Sequence, residues 1–348
     1  MNPNRKRTPG IREFILQNIT KDQQDTVSRS AKKFGVTRQT VLRHIRRLAD
    51  QKAIVVKGAG RKRSYELAPI AGVERQFPLT KDLKEDFLWR NYIRPHLQGV
   101  AQNVVGICQH GFTEITNNAI EHSQGTTLKI TLAYTPISIR MQIHDNGVGI
   151  FKKIQSELHL EDPLHVMLEL AKGKLTTDPN QHTGEGIFFT SRMFDDFFIT
   201  SGNLFFAHRD NRDWLLEDTA TPVEGTSVLL EISPQSRRTT KEVFDLFASD
   251  QDDLSFSRTH VPVTLARYGD ENLISRSQAR RLLSRFERFK EVILDFRGVE
   301  SIGQAFADEI FRVFANEHPD VSMTYVSAND QVEKMILRAR NHETERSS

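Results

Sequence analysis

The first 70 residues of this chain carry 17 Lys and Arg against 5 Asp and Glu, a balance of +12, while the remainder carries 31 against 40, a balance of −9. The net charge of +3 over 348 residues hides that division. A basic block joined to an acidic remainder is the pattern of a nucleic-acid-binding end attached to a different body. A solvated basic tail would lack apolar rhythm, whereas this block has it: Val41, Leu42, Ile45 and Leu48 fall at helical spacing. The length suits two or three domains, and 38% hydrophobic residues are enough for ordinary cores. The chain therefore reads as a multidomain α/β (α+β) protein with a basic head over 1–70.

Within the head, the spacing predicts helices over Gly10–Asn18, Thr26–Phe34 and Thr37–Gln51, with Gly35-Val36 as a tight turn and Thr37 as an N-cap. Two short strands are expected at Ile54–Lys57 and Ser64–Leu67, joined by the basic hairpin GAGRKR. Most of residues 10–68 resembles a winged helix-turn-helix. That resemblance implies double-stranded DNA as partner, with the third helix presented to a groove. Arg38, Gln39, Thr40, Arg43, His44 and Arg47 are expected on its exposed side, where Arg and Gln can pair with base edges. Arg61, Lys62 and Arg63 on the wing would meet phosphates. A head used only for protein contacts is the alternative, and the charge excess argues against it. Two-fold operators would make a homodimer reasonable.

Residues 69–84, with two prolines and mixed polarity, read as a linker, so that 71–99 is a linker and lead-in helix ahead of a domain over 100–235. A helical region is expected from Lys84 to His122, broken near Pro95. TTLKITLAY and ISIRMQIHD alternate as two strands of a hairpin, and DFFITSG, NLFFAHR and GTSVLLEI as further strands. Helices are expected over 151–172 and 185–194. The arrangement is an α/β layer on a largely antiparallel sheet.

The stretch FTEITNNAIEHS (112–123) places two asparagines inside a helical pattern, although Asn is a weak helix former. Residues four apart share a helix face, so Glu114 projects with Asn118 and Asn117 with Glu121. A carboxylate beside an amide oxygen is hard-ligand chemistry of the kind that suits magnesium. Two later segments reinforce it. HDNGVGI ends a strand with Asp145 before a Gly147-Val148-Gly149 turn. HTGEGIFFTSRMF opens a helix with Gly184 and Gly186, leaving free backbone N–H groups that suit phosphate.

E-x-x-x-N-A at Glu114–Ala119, D-x-G-x-G at Asp145–Gly149, G-x-G at Gly184–Gly186 and G-T at Gly225-Thr226 together resemble the GHKL ATPases. That family includes histidine kinases and anti-sigma-factor kinases, and the resemblance spans about residues 100–232. It implies a GHKL α/β sandwich binding ATP and Mg2+. Asn118 would ligate the magnesium, and Asp145 would accept from the adenine amino group. Gly147 and Gly149 would shape the adenine pocket, with Thr226 supporting it, and Gly184 and Gly186 would close over the phosphates. The stretch 151–183, with Lys172 and Lys174, would be the ATP lid.

Glu114 matches the general base of the family's hydrolases and anti-sigma kinases; merely supporting the metal's water shell is the alternative. EITNNAIEHS is closest to the anti-sigma type. A histidine autokinase is disfavoured, because His96 lacks the acidic neighbour of that phosphoacceptor box and His110 and His122 flank or lie in the nucleotide helix. The leading expectation is a transcriptional regulator in which ATP–Mg controls DNA binding. Alternatives are a protein serine/threonine kinase of the anti-sigma type and a slow ATPase clamp.

After the acidic run ASDQDDLS, residues 256–340 predict β–α–β–α–β order, and ILDFRGVESIGQAFADEIFRVF resembles a STAS-like domain, which implies a protein partner. The serine-rich turn of the phosphorylated members is replaced by Gly303-Gln304-Ala305, and Ser301 sits where an apolar residue is usual. Arg276, Arg280, Arg281, Arg285 and Arg288 on the preceding helix read as a solvated face. The start, MNPNRKRTPGIREF, has no signal-peptide core, and no stretch approaches about 18 apolar residues, so a cytoplasmic protein without membrane contact is expected. With Cys108 alone, no intramolecular disulfide is open to the chain.

Overall fold

The computed structural model describes residues 4–19, 26–58, 64–160, 163–175, 184–209, 212–217, 222–248, 256–267 and 271–341. Among the described residues the chain is mixed α/β with three separate sheets. The head comprises α1 (Asn4–Ile19), α2 (Thr26–Phe34), α3 (Arg38–Asp50) and the antiparallel pair β1 (Ile54–Lys57) and β2 (Ser64–Leu67). Thr37 caps α3 through its hydroxyl, which accepts from the Thr40 amide. Ile11, Ile15, Ile19, Val41, Ile45, Leu48, Ile54 and Tyr65 close a small core that belongs to the head alone.

Residues 71–78 are not a linker. They form β3 (Ala71–Pro78), the edge strand of a seven-stranded sheet, in register against β4 (Thr127–Tyr134). Val73 and Phe77 turn half-buried toward the core while Arg75 between them stays exposed, and Pro78 sits at an end of an edge strand, where a missing N–H does least harm. Only Pro69 then separates head from sheet: the Ala68 amide is bonded to Ala53, and the Ile70 amide to Tyr134.

The sheet runs in the order β3-β4-β5-β9-β6-β7-β8, with β5 (Ile139–Asp145), β6 (Asp196–Gly202), β7 (Leu204–Arg209), β8 (Arg212–Glu217) and β9 (Val223–Ile232), and every pairing is antiparallel. Its helices include the short α4 (Glu85–Leu88) and the long α5 (Gln102–His122), with α6 (Ile150–Glu157), α7 (Pro163–Lys172) and α8 (Gly186–Met193). The break near Pro95 is real: Trp89–Ile93 winds as a wider turn and Arg94–His96 as a tighter one before α5 begins. Pro95 lacks the N–H that a continuous helix would use.

Beyond α9 (Thr240–Asp245) lies a C-terminal unit with a three-stranded parallel sheet, β10 (Arg258–Pro262), β11 (Glu291–Asp295) and β12 (Ser322–Val326). The crossovers are α10 (Arg276–Leu283) and a helical stretch containing α11 (Gln304–Asp308) and α12 (Ala315–Glu317); α13 (Asp330–Asn341) closes the unit. Middle and C-terminal units share one hydrophobic core, from Leu88 to Ala339. Its seam is a set of phenylalanines. Phe188 and Phe189 of α8 meet Phe256 at 4.5 and 5.0 Å between ring centroids, and Phe256 meets Phe289 at 5.4 Å. Aromatic pairs of this kind, tilted or edge-on, add about 0.5–1.5 kcal/mol each to the burial of the rings.

Candidate functional site

Along β5, Ile139, Met141, Ile143 and Asp145 are all buried, because alternate residues of a strand face the same side. Asp145 thus points toward the core with its apolar neighbours, 5% exposed. Its register partner on β9 is Thr226, on the same face as Val228, Leu230 and Ile232. Above this floor runs α5, which turns Glu114, Ile115, Asn117, Asn118, Ala119 and His122 to one side. Between them lies a cavity of about 340 Å³, lined also by Gly149, Lys153, Gly184, Gly186, Ile199 and Leu175. That volume falls within the roughly 300–1,000 Å³ of small-molecule sites.

Two glycines are required by close approach. A Cβ at Gly147 would lie 2.0 Å from the Ser123 carbonyl oxygen, so the turn after Asp145 can pack on the end of α5 only without a side chain. At Gly186 a Cβ would lie 2.1 Å from Glu114 Oε2, which places the glutamate carboxylate against the first turn of α8. Thr226 Oγ1 accepts from the Ile150 amide at 3.0 Å, and Asp145 Oδ1 accepts from the Gly147 amide at 2.9 Å. Burial pushes the Asp145 carboxyl above the ordinary carboxylate range, and the Gly147 N–H opposes part of that shift. Glu114 and Asn118 are the hard oxygen donors that could hold a cation here. Among the described residues no group of three or more His, Cys, Asp and Glu side chains is placed to hold a metal ion. Burial pushes the Cys108 thiol up to about 12, so it is no nucleophile.

The structure thus brings together Glu114, Asn118, Asp145, Gly149, Gly184, Gly186 and Thr226, with Gly147 in the turn beneath. Asn117, placed with Glu121 by helical spacing, lines the cavity as well. Lys153 is an addition: its ammonium donates to the His122 carbonyl at 2.8 Å at the cavity wall. The signal was its place one helical turn after Gly149.

Lys172 and Lys174 are not at the cavity. Lys172 is 1% exposed and donates to Glu169 Oε1 at 2.6 Å and to the Ser284 carbonyl at 2.8 Å, while Lys174 donates to the Arg288 carbonyl at 2.8 Å. The physical reason is that α7 packs its end on the C-terminal unit, where buried ammonium groups need acceptors. Of the arginines read as a solvated face, Arg276, Arg280 and Arg288 are exposed, with Arg280 pairing with Glu309 at 2.6 Å, whereas Arg285 turns inward and reaches Glu169 at 3.3 Å. Of the expected lid stretch, residues 161–162 and 176–183 lie outside the described residues.

In the head, Arg38, Gln39, Arg43 and Arg47 are exposed along α3, and Arg46 joins them. Arg38 donates to Ser28 Oγ at 2.6 Å. Thr40 is half-buried and engaged in the Thr37 cap. His44 is a correction: with Val41, Ile45 and Leu48 it belongs to the buried stripe, 9% exposed. Its pKa is lowered by burial and by the nearby Arg12, Arg47 and Arg43. Arg61, Lys62 and Arg63 lie outside the described residues.

A family model for a STAS-like domain of unknown function (DUF4325) matches residues 278–333, from α10 to the first turn of α13. The C-terminal unit carries a STAS-like domain. No curated protein matches the chain. Among the described residues no helix is long and apolar enough to cross a membrane.

Proposed function

We propose that the chain is an ATP–magnesium-binding transcriptional regulator, with a GHKL-type middle unit and a winged helix-turn-helix head. The observation that carries this reading is convergence. Residues from α5, the turn after β5, the 184–186 stretch and β9, far apart in sequence, line one cavity. In this reading Asp145 accepts from the adenine amino group at the floor, flanked by Ile143, Ile199 and Val228. The backbone N–H groups opening α8 at Gly186 face the phosphates. Asn118 holds the magnesium, which when bound neutralises phosphate charge. Glu114 takes a proton from water or from a substrate hydroxyl. The exposed row Arg38, Gln39, Arg43, Arg46 and Arg47 reads duplex DNA, and the STAS-like domain receives a protein partner.

Calorimetry with ATP–Mg on wild type, Asn118→Ala and Glu114→Ala tests the pocket. Asn118→Ala should lose binding, while Glu114→Ala should bind and lose turnover. No heat with folded wild type sinks the reading. Gel shifts on its own promoter with and without ATP–Mg test the regulation, and identical binding in both removes the coupling. A second reading, a protein kinase of the anti-sigma type, is favoured by the Glu114 carboxylate at the first turn of α8 beside a STAS-like domain in the same chain. Labelled ATP that leaves no phosphoprotein, on the chain or on added partners, counts against it.

A further inference from the structure

We infer that Arg285 of the STAS-like domain is a positioning residue for the cavity: it fixes the backbone of residues 169–174 and thereby the wall that Leu175 presents to the ligand. The inference rests on the cavity binding nucleotide, as proposed above. Leu175 lines the cavity, and its amide donates to the Gly184 carbonyl at 3.0 Å, so the two wall residues are tied to one another. On its other side this segment is bonded to the C-terminal unit through Glu169, Lys172 and Lys174. Arg285 Nη1 donates to Glu169 Oε2 at 3.3 Å, and Nη2 donates to the Lys174 carbonyl. Lys172 Nζ donates to the carbonyls of Arg281 and Ser284 at 3.1 and 2.8 Å. Thr259 Oγ1 donates to the Lys172 carbonyl at 2.7 Å, and Lys174 Nζ donates to the Arg288 carbonyl. The Lys174 ammonium also lies 4.9 Å from the centre of the Phe289 ring.

Backbone geometry points the same way. Arg285 (φ +67°) and Lys174 (φ +53°) both adopt the left-handed conformation that non-glycine residues avoid, and they are bonded to one another across the junction. Such conformations persist where the surroundings over-determine them. A purely apolar seam would need neither. The fork of Arg285 spans a side chain and a main-chain oxygen at once, from two nitrogens held in one rigid plane. A ligand that orders Leu175 therefore changes the free energy of the α10 contacts, and by reciprocity those contacts change its affinity.

The test compares full-length wild type with Arg285→Ala, Arg285→Lys and Arg276→Ala. Arg276 lies on the same helix, and its ion pair is with Glu309, away from residues 169–175. ATP–Mg affinity is measured by calorimetry and backbone amide exchange by mass spectrometry. Arg285→Ala is expected to weaken ATP about fivefold or more and to raise exchange at Leu175 in the ligand-free chain. The lysine variant recovers part, and Arg276→Ala behaves as wild type. In wild type, ATP protects the amides of residues 281–289, and in Arg285→Ala it does not. Wild-type affinity together with wild-type exchange at Leu175 overturns the inference. Should wild type fail to bind ATP, the nucleotide reading falls, and exchange at Leu175 alone decides the positioning: a rise supports it and no change overturns it. Should Arg285→Ala fail to fold, Thr259→Val removes a single hydroxyl bond to the same segment and must shift Leu175 exchange in the same direction, or the inference is overturned.

Discussion

Lys172→Met replaces an ammonium that meets Glu169 at 2.6 Å, in a place where the two side chains are 1% and 6% exposed. Methionine keeps the length of the stem and its packing, so the change isolates the charge. Glu169, Arg281 and Ser284 each lose a donor. Breaking a buried ion pair from one side costs about 3–5 kcal/mol, most of it for the charge left behind. Here Arg285 still reaches the Glu169 carboxylate at 3.3 Å, which puts the expected loss at the low end, about 3 kcal/mol. For a body of this size that corresponds to a fall in thermal midpoint of roughly 6–12 °C. Adding Glu169→Gln removes the stranded charge and should recover more than half of the loss. Urea and thermal unfolding of the two single variants and the double variant give the cycle. The reasoning is refuted if Lys172→Met unfolds with the wild-type midpoint, or if the double variant loses the sum of the two singles. A lysine that served a bound phosphate instead would leave the midpoint unchanged and weaken nucleotide binding directly.

Asp145→Asn should move stability and binding in opposite directions. The buried carboxyl holds its proton more tightly folded than unfolded, so its ionisation costs stability as pH rises above the ordinary carboxylate value of about 4. The amide should raise the midpoint at neutral pH yet weaken adenine nucleotides about tenfold or more, by setting a donor against a donor; a variant that binds as wild type does would refute the assignment. Gly186→Ala sets a methyl group where Glu114 Oε2 stands, and the carboxylate is the end of a flexible chain that can turn aside. ATP turnover should fall about 100-fold with the fold intact, and full turnover would remove Glu114 from the chemistry. His44, its pKa lowered by burial, resists protonation in the folded head more than in the unfolded chain, so the head loses stability as pH falls through about 6.5. Amide exchange in α3 of the full chain, corrected for intrinsic rates, should rise on acidification, and His44→Leu should flatten that response; an equal slope in the variant would dismiss it.

Local signals carried much of the architecture. Ile54–Lys57, Ser64–Leu67 and Asp196–Gly202 are bounded by glycine, serine and charged residues, and their strands fall on the expected positions. The cavity residues were legible because Glu114 and Asn118 share a helix face and because glycines mark close approach. What escaped depends on partners distant in the chain. β3 ends in proline and turns only part of one side inward, so composition alone reads it as a connection. Nothing near Lys172 in sequence reveals the carbonyls of Arg281 and Ser284, more than a hundred positions away. His44 was legible in principle: it stands three residues after Val41 and four before Leu48, and its polar ring masked that register.

The single residue between Ala68 and Ile70 also bears on how the head can be used. Proline at that point is a poor swivel, since its ring fixes one of the two torsions. On the proposed DNA-binding reading, two copies on a palindromic site would have the distance between their α3 helices set by how the bodies pair, with little slack in the tether to correct it.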